Sequence, residues 1–179
     1  MEGPGTDPLA GGLAAGDQQA FSALYDQYGQ RLYRAAVGML GCGQDAEDTV
    51  QEVFVAVFQS RRSLTHVQDL AAYLFTALRR AAGRCAARRA RTPALSENAV
   101  NEAVALTAPR DESTSEYHER LDRAMSALPA EQRDVVALKI DGELSFAQIA
   151  QVLGVSPNTA ASRYRYALEK LRTSLKEVR

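Results

Sequence analysis

An all-α fold is predicted for this chain, and three observations carry the prediction. Apolar residues make up 46% of the 179 positions, and they recur three and four positions apart rather than on alternate positions. Alanine, the strongest helix former, is abundant, whereas runs of β-branched residues alternating with polar ones are missing. The periodic segments are punctuated by Asp, Ser, Pro and Gly where helices start and stop. The length suits two small helical domains, and a change of character after residue 91 predicts a flexible linker between them.

Residues 1–16, "MEGPGTDPLAGGLAAG", are Gly-, Pro- and Ala-rich and are predicted to be a disordered tail. Asp17 can cap a helix that turns Phe21, Leu24, Tyr28, Leu32, Ala35 and Met39 inward. Gly41 and Gly43 break it. The next helix buries Ala46, Val50, Val53, Phe54 and Val57, "SRRSLTHVQD" reads as a loop, and a third helix buries Leu70, Leu74, Ala77, Leu78 and Ala81. These elements form a first domain over 17–91. Residues 92–116, with two prolines, scattered acids and no aromatic residue, read as the linker. A second domain over 117–179 begins with Leu121, Ala124, Met125 and Leu128 on one short helix. Pro129 then starts another, with Val135, Val136, Leu138 and Ile140 inward.

The stretch "SFAQIAQVLGVSPNTAASRYRYALEKLR" carries the most information. Ser145 caps a helix whose Phe146, Ile149, Ala150 and Leu153 line one side. Gly154 ends it, and Ser156-Pro157 restarts a helix with Tyr164, Leu168, Leu171 and Leu175 inward. Small Ala150 and Gly154 permit the close crossing of a helix-turn-helix. Asn158, Ser162, Arg165, Arg172 and Lys176 fall on the outer face. From residue 161 onward six basic residues stand against two acids, and residues 79–91 hold six arginines and no acid. Polar groups at the start of such a helix suit base edges, and basic groups farther along suit phosphates.

The net charge of −1 conceals this segregation. No apolar run approaches the roughly 20 residues of a membrane span, so no membrane insertion is expected. The N-terminus lacks the basic and apolar regions of a secretory signal, and Cys42 and Cys85 belong to no paired motif. A cytoplasmic protein is expected. His66 and His118 have neither metal-ligand nor triad spacing, and no phosphate-binding loop follows a strand. No metal, cofactor or catalysis is expected.

"LPAEQRDVVALKIDGELSFAQIAQVLGVSPNTAASRYRYALEKLR" resembles the promoter-binding C-terminal domain of bacterial RNA polymerase sigma factors, with the extracytoplasmic-function (ECF) type the closest match. "AGDQQAFSALYDQYGQRLYRAA" and "DAEDTVQEVFVAVFQ" resemble the first conserved domain of the same family. Together the resemblance covers roughly residues 14–90 and 117–176. It implies a protein that binds core RNA polymerase and promoter DNA, with an anti-sigma factor as a further candidate partner. Asp45, Asp48 and Glu52 share a helix face, with Glu47 and Gln51 adjoining, and by the resemblance these five are the candidates for docking on the polymerase. The same carry-over assigns the −10 element to Arg61, Arg62, His66, Tyr73, Arg79, Arg80, Arg84 and Arg88. It assigns the −35 element to Ser156, Pro157, Asn158, Thr159, Ser162, Arg163, Arg165 and Arg172, with Arg163 the candidate for a bidentate guanine contact.

The chain departs from the family at several places. Tyr73 and Arg80 of "YLFTALRR" stand where many members have Trp and Asn, Gln148 replaces a common acid, and "NTAASR" replaces "GTVKSR". Two other readings stay open: a stand-alone helix-turn-helix regulator, and a sigma-like protein that binds polymerase without melting DNA.

Overall fold

The computed structural model describes residues 7–91 and 112–176. Among these, the helices are α1 (Pro8–Ala15), α2 (Gln18–Leu40), α3 (Gly43–Gln59), α4 (Leu70–Arg91), α5 (Glu112–Ser126), α6 (Ala130–Ile140), α7 (Phe146–Leu153) and α8 (Pro157–Lys176). A 3-10 turn over Arg61–His66 joins α3 to α4. No strand occurs among the described residues. The expected helices over 17–91 and from residue 117 onward are all present.

Three stretches differ from expectation. The tail expected to be disordered is helical over Pro8–Ala15, while residues 1–6 lie outside the described residues. Asp7 caps α1 by accepting from the Leu9 amide at 2.9 Å. An eight-residue helix rich in Gly is marginal alone; Ala10 and Leu13, both 0% exposed, tie it to the 3-10 turn and α2. Tertiary burial therefore overrides a composition that reads as disorder. The loop expected over 60–69 contains the 3-10 turn, pinned by fully buried Leu64 and by a Ser63 hydroxyl donating to the Ser60 carbonyl at 2.7 Å. The linker expected over 92–116 lies outside the described residues as far as 111, but 112–116 belong to α5.

One residue of the expected core also points outward. Ile140 is 54% exposed because α6 ends there and the chain turns at Asp141-Gly142, burying Leu144 completely instead. Buried positions run consecutively from Val135 to Leu138 because α6 has neighbours on two sides. Val135, Ala137 and Leu138 join the main apolar core, whereas Val136 joins a smaller cluster with Ala124, Leu128, Ala167 and Leu171.

That main core is continuous across both halves of the chain. It runs from Leu13 and Leu24 through Leu32, Val53 and Phe75 to Leu138, Ile149 and Val152. Helices α2, α3 and α4 pack on one another, as do α6, α7 and α8, and the halves meet where α2 faces α6 and α4 faces α7. Backbones come close at this seam: a Cβ on Gly38 would stand 3.0 Å from the Ala137 Cβ. Polar contacts flank it. An Arg31 Nη2 donates to the Gly142 carbonyl at 2.6 Å, Arg79 pairs with Asp134 at 3.3 Å, and Gln148 Nε2 donates to Asp69 at 3.0 Å.

Burial pushes the Asp134 carboxyl above the usual carboxylate range, with Arg79 opposing, and burial does the same to Asp141 against Arg34. A folded-state value above the unfolded one means that the folded protein binds the proton more readily. Each group therefore subtracts stability at neutral pH, and the loss is recovered as the pH falls through the raised value towards 3.8. Asp141→Asn is expected to raise the melting temperature at pH 7, with the gain shrinking as the pH is lowered in a calorimetric series. A gain that grew on acidification would contradict the assignment.

Candidate nucleic-acid and protein interfaces

Amphipathic α2 and α3 bury one face each and leave an open groove of about 730 Å³ between their outer faces. Its lining includes Tyr25, Asp26, Gln30, Glu47, Asp48 and Gln51, three carboxylates with no cation among the lining residues. Tyr25, Val55 and Phe58 are exposed large apolar side chains on the same two helices, and Tyr25 leans on Phe54 with ring centroids 5.4 Å apart. Aromatic side chains are enriched in protein interfaces relative to the rest of the surface.

The acidic residues of α3 separate into two sets. Glu47, Asp48 and Gln51 line the groove. Asp45 and Glu52 instead reach α4, where Asp45 pairs with Arg89 at 3.5 Å and Glu52 with Arg84. The second pair is 57% and 41% exposed, and an exposed pair of this kind contributes only about 0–1 kcal/mol. Either partner can exchange it for an outside contact at little cost.

A second cavity, about 570 Å³, opens between the 3-10 turn and α4, within the size range of ligand sites. His66, Tyr73 and Arg80 line it, together with Asp69, Thr76 and Gln151. Tyr73 is held by a 3.1 Å bond between its hydroxyl and that of Ser60. The remaining residues expected to face the −10 element do not converge here. Arg61 lies over the Phe58 ring, 4.8 Å from its centroid, and donates to the Phe58 carbonyl at 3.0 Å. Arg62 and Arg88 are exposed, Arg79 pairs with Asp134, and Arg84 pairs with Glu52.

In the C-terminal half the caps are as the residues imply. Ser145 and Gln148 form a capping box on α7, and Gly154 takes the left-handed conformation at φ 67° that a side chain resists. The Ser156 hydroxyl accepts from the Thr159 amide at 3.0 Å and caps α8. Phe146 packs edge-on to Tyr164, with centroids 5.7 Å apart, and fixes α7 against α8. Pro157, Asn158, Arg165 and Arg172 are exposed along one side of α8, while Ser162 is half-buried. The Thr159 hydroxyl is shared with Ser156 at 2.8 Å. Arg163 turns towards α6 and pairs with Glu131 at 2.6 Å, so the candidate guanine reader is engaged inside its own half.

Sequence reasoning missed Asp69, Thr76 and Gln151 in the second cavity and Tyr25, Asp26 and Gln30 in the groove. Asp69 had a signal, since "QDLAAYL" places an Asp before a helical run, and its carboxylate accepts from the Ala72 amide at 2.8 Å. Gln151 had none, because it comes from the other half of the chain.

Residues 24–92 match the family model described as Sigma-70 region 2, and residues 118–171 match that described as Sigma-70, region 4. The ECF RNA polymerase sigma factor SigL of Mycobacterium tuberculosis (strain ATCC 25618 / H37Rv) is 32% identical over 173 residues, covering 93% of this chain and 95% of its own. The chain belongs to the ECF RNA polymerase sigma factors. The ECF sigma factor SigW of Bacillus subtilis (strain 168) is 26% identical, covering 91% of this chain and 92% of its own.

Solved structures extend the likeness of fold to both halves of this sigma factor. CnrH, in complex with the cytosolic domain of CnrY, superposes with a TM-score of 0.69 at 24% identity, covering 96% of this chain and 97% of its own. RpoE of Bartonella quintana, in complex with the anti-sigma factor NepR, gives 0.68 at 22% identity, covering 90% and 99%. As a sigma factor the protein binds core RNA polymerase and promoter DNA and directs promoter-specific transcription initiation. No described helix is long and apolar enough to cross a membrane. The cap on α8 has a direct test. Ser156→Ala is expected to cost about 1 kcal/mol, read as a lower urea midpoint with the slope unchanged; an unchanged midpoint would mean that the bond carries nothing.

Proposed function

We propose that the sigma factor divides its work among three surfaces. The groove between α2 and α3 receives core polymerase, the cavity beside the 3-10 turn receives the −10 element, and the exposed side of α8 reads the −35 element. On this reading residues 17–91 and 117–179 are the two working units. The observation that supports it best is the segregation of charge. The groove is lined by Asp26, Glu47 and Asp48 without a cation, whereas Arg62, Arg80, Arg88, Arg165 and Arg172 are exposed elsewhere. A surface with only carboxylates repels DNA and suits a basic protein face, while exposed arginines suit phosphates.

In the cavity, His66 and Tyr73 offer ring faces and Arg80 offers a guanidinium to an unstacked base and its phosphate. On α8, Asn158 is exposed at the helix start and suits a base edge, whereas Arg165 and Arg172 farther along suit backbone phosphates. The protein's contribution is recognition in the cytoplasm, and the nucleotidyl transfer belongs to the polymerase. The likeness to CnrH and RpoE, each solved with a bound partner, supports an anti-sigma factor as a regulator of this chain as well.

Charge reversal tests the groove. Glu47→Lys with Asp48→Lys is expected to weaken binding to core polymerase about tenfold or more, mostly through slower association at low salt, with helicity unchanged. Equal affinity for core in a pull-down titration would remove the groove from the reading. For α8, Arg165→Ala and Arg172→Ala are each expected to weaken binding across all promoter sequences and reduce the salt slope by about 0.9. Asn158→Ala is expected to change sequence preference in a promoter library and leave that slope alone. A slope unmoved by both arginine changes would show that α8 does not face the phosphates.

A further inference from the structure

We infer that α1 is a positioning element for the −10 cavity: it braces the 3-10 turn that leads into one wall of that cavity, and Gly12 and Leu13 seat it. The inference rests on the reading of the cavity as the −10 site. The wall is His66, Val67, Gln68 and Asp69, four consecutive residues where the turn runs into α4. A 3-10 segment has poorer hydrogen-bond geometry than an α-helix and is rarely long. The bonds inside this one are short-range. The Ser63 hydroxyl donates to the Ser60 carbonyl at 2.7 Å, the Thr65 hydroxyl to the Arg62 carbonyl at 3.2 Å, and the Val67 amide to the Leu64 carbonyl at 3.0 Å. Bonds of that span fix how the turn winds, not where it sits. Leu64 is the turn's one buried side chain, and α1 is the helix that packs on the turn most extensively.

Helix α1 lies along the turn from end to end. At its last residue, a Cβ on Gly16 would stand 3.6 Å from Arg61 Nε, where the turn starts. At its first, Asp7 shares the surroundings of the Tyr28 phenol with Asp69, just past the turn's end. Burial pushes that phenol up, Asp7 and Asp69 add to the rise, and Arg31 opposes it. Between these ends Ala10 and Leu13, both 0% exposed, join Leu64 in the main apolar core. On its other side α1 is pressed onto α2, since a Cβ on Gly12 would stand only 2.9 Å from the Ala20 Cβ.

A direct contact with DNA does not suit α1. None of its residues lines the cavity, and residues 7–16 carry no Lys, Arg or His, only the carboxylate of Asp7. Its influence on the −10 element passes through the turn. Helices α2, α3 and α4 pack on one another without it, so unseating α1 leaves the polymerase groove and α8 in place. Only molecules whose turn is in position take up the −10 strand, and the apparent affinity falls with that fraction.

Two substitutions unseat α1 by unrelated physics. Leu13→Ala empties a buried position and keeps helix propensity. Gly12→Leu raises helix propensity but drives a side chain into Ala20. Leu13→Met nearly conserves volume and serves as the conservative control.

Hydrogen exchange on the free full-length chain reads the brace. The amides of Ser63 and Val67 are expected to exchange about tenfold faster in both unseating variants, with α3 unchanged and Leu13→Met like the native chain. Holoenzyme on a promoter that the native holoenzyme selects from a random-sequence library reads the consequence. Discrimination against base changes in the −10 element is expected to fall about tenfold in both variants and to return in Leu13→Met. Discrimination at the −35 element and affinity for core stay native. Unchanged exchange in the turn overturns the brace. A loss at both elements together, or one shared by Leu13→Met, overturns the positioning role, because it marks a weakened fold rather than a displaced turn. So does faster exchange with −10 discrimination intact, in a protein where Tyr73→Ala lowers it. If Tyr73→Ala also leaves −10 discrimination native, the reading of the cavity falls, and the exchange result still decides the brace.

Discussion

Closing α6 against α2 requires two helix backbones to approach within the width of one methyl group. Gly38 makes that room: any Cβ there would press on Ala137 at 3.0 Å. Once the helices are that close, Val135, Ala137 and Leu138 reach the apolar core built by the first half. Each large aliphatic side chain buried in this way contributes on the order of 1.5–3 kcal/mol, more than a partly exposed ion pair such as Arg79 with Asp134. The apolar contact holds the seam, and the polar contacts around it set the register.

The surfaces proposed to carry function follow from that register. Asp69 caps α4 and also receives Gln148, so one carboxylate links the start of the arginine-bearing helix to the helix-turn-helix. The same closure brings Gln151 to the cavity beside Tyr73. The groove between α2 and α3 lies apart from the seam, and its carboxylates keep their exposure. A chain with net charge −1 can therefore serve a basic protein face and a polyanion, because its charges are sorted by surface rather than averaged.

Much of the fold was legible in the residues, and the reason differs from element to element. Helices α2, α3, α4 and α8 were readable because long amphipathic periods leave no other way to bury their apolar stripes. The turn at Gly154 and the caps at Asp17, Ser145 and Ser156 were readable because capping is local chemistry, decided within three residues. Helix α1 was not, since its small residues form a helix only when Ala10 and Leu13 have something to pack under. The exposure of Ile140 was equally hidden, because a period cannot say where a helix meets its last neighbour. Among the candidate site residues, the acids of α3 were found as a group. Their division between the groove and the arginines of α4 depends on which helix lies on each side.

The sequence by itself determined the all-helical class, the helix-turn-helix, the two conserved regions and the clustering of acids and arginines along the chain. These depend on spacing and on residue chemistry within a few turns of helix, and such information is local. Tertiary structure alone decided that Arg163 serves Glu131, that His66, Tyr73 and Arg80 share one cavity with Gln151, and that Gln148 meets Asp69. Asp69 and Gln148 are 79 positions apart, and no periodicity runs across that distance. Their meeting is set by how closely two backbones can pack, a property of the folded chain and not of any one segment.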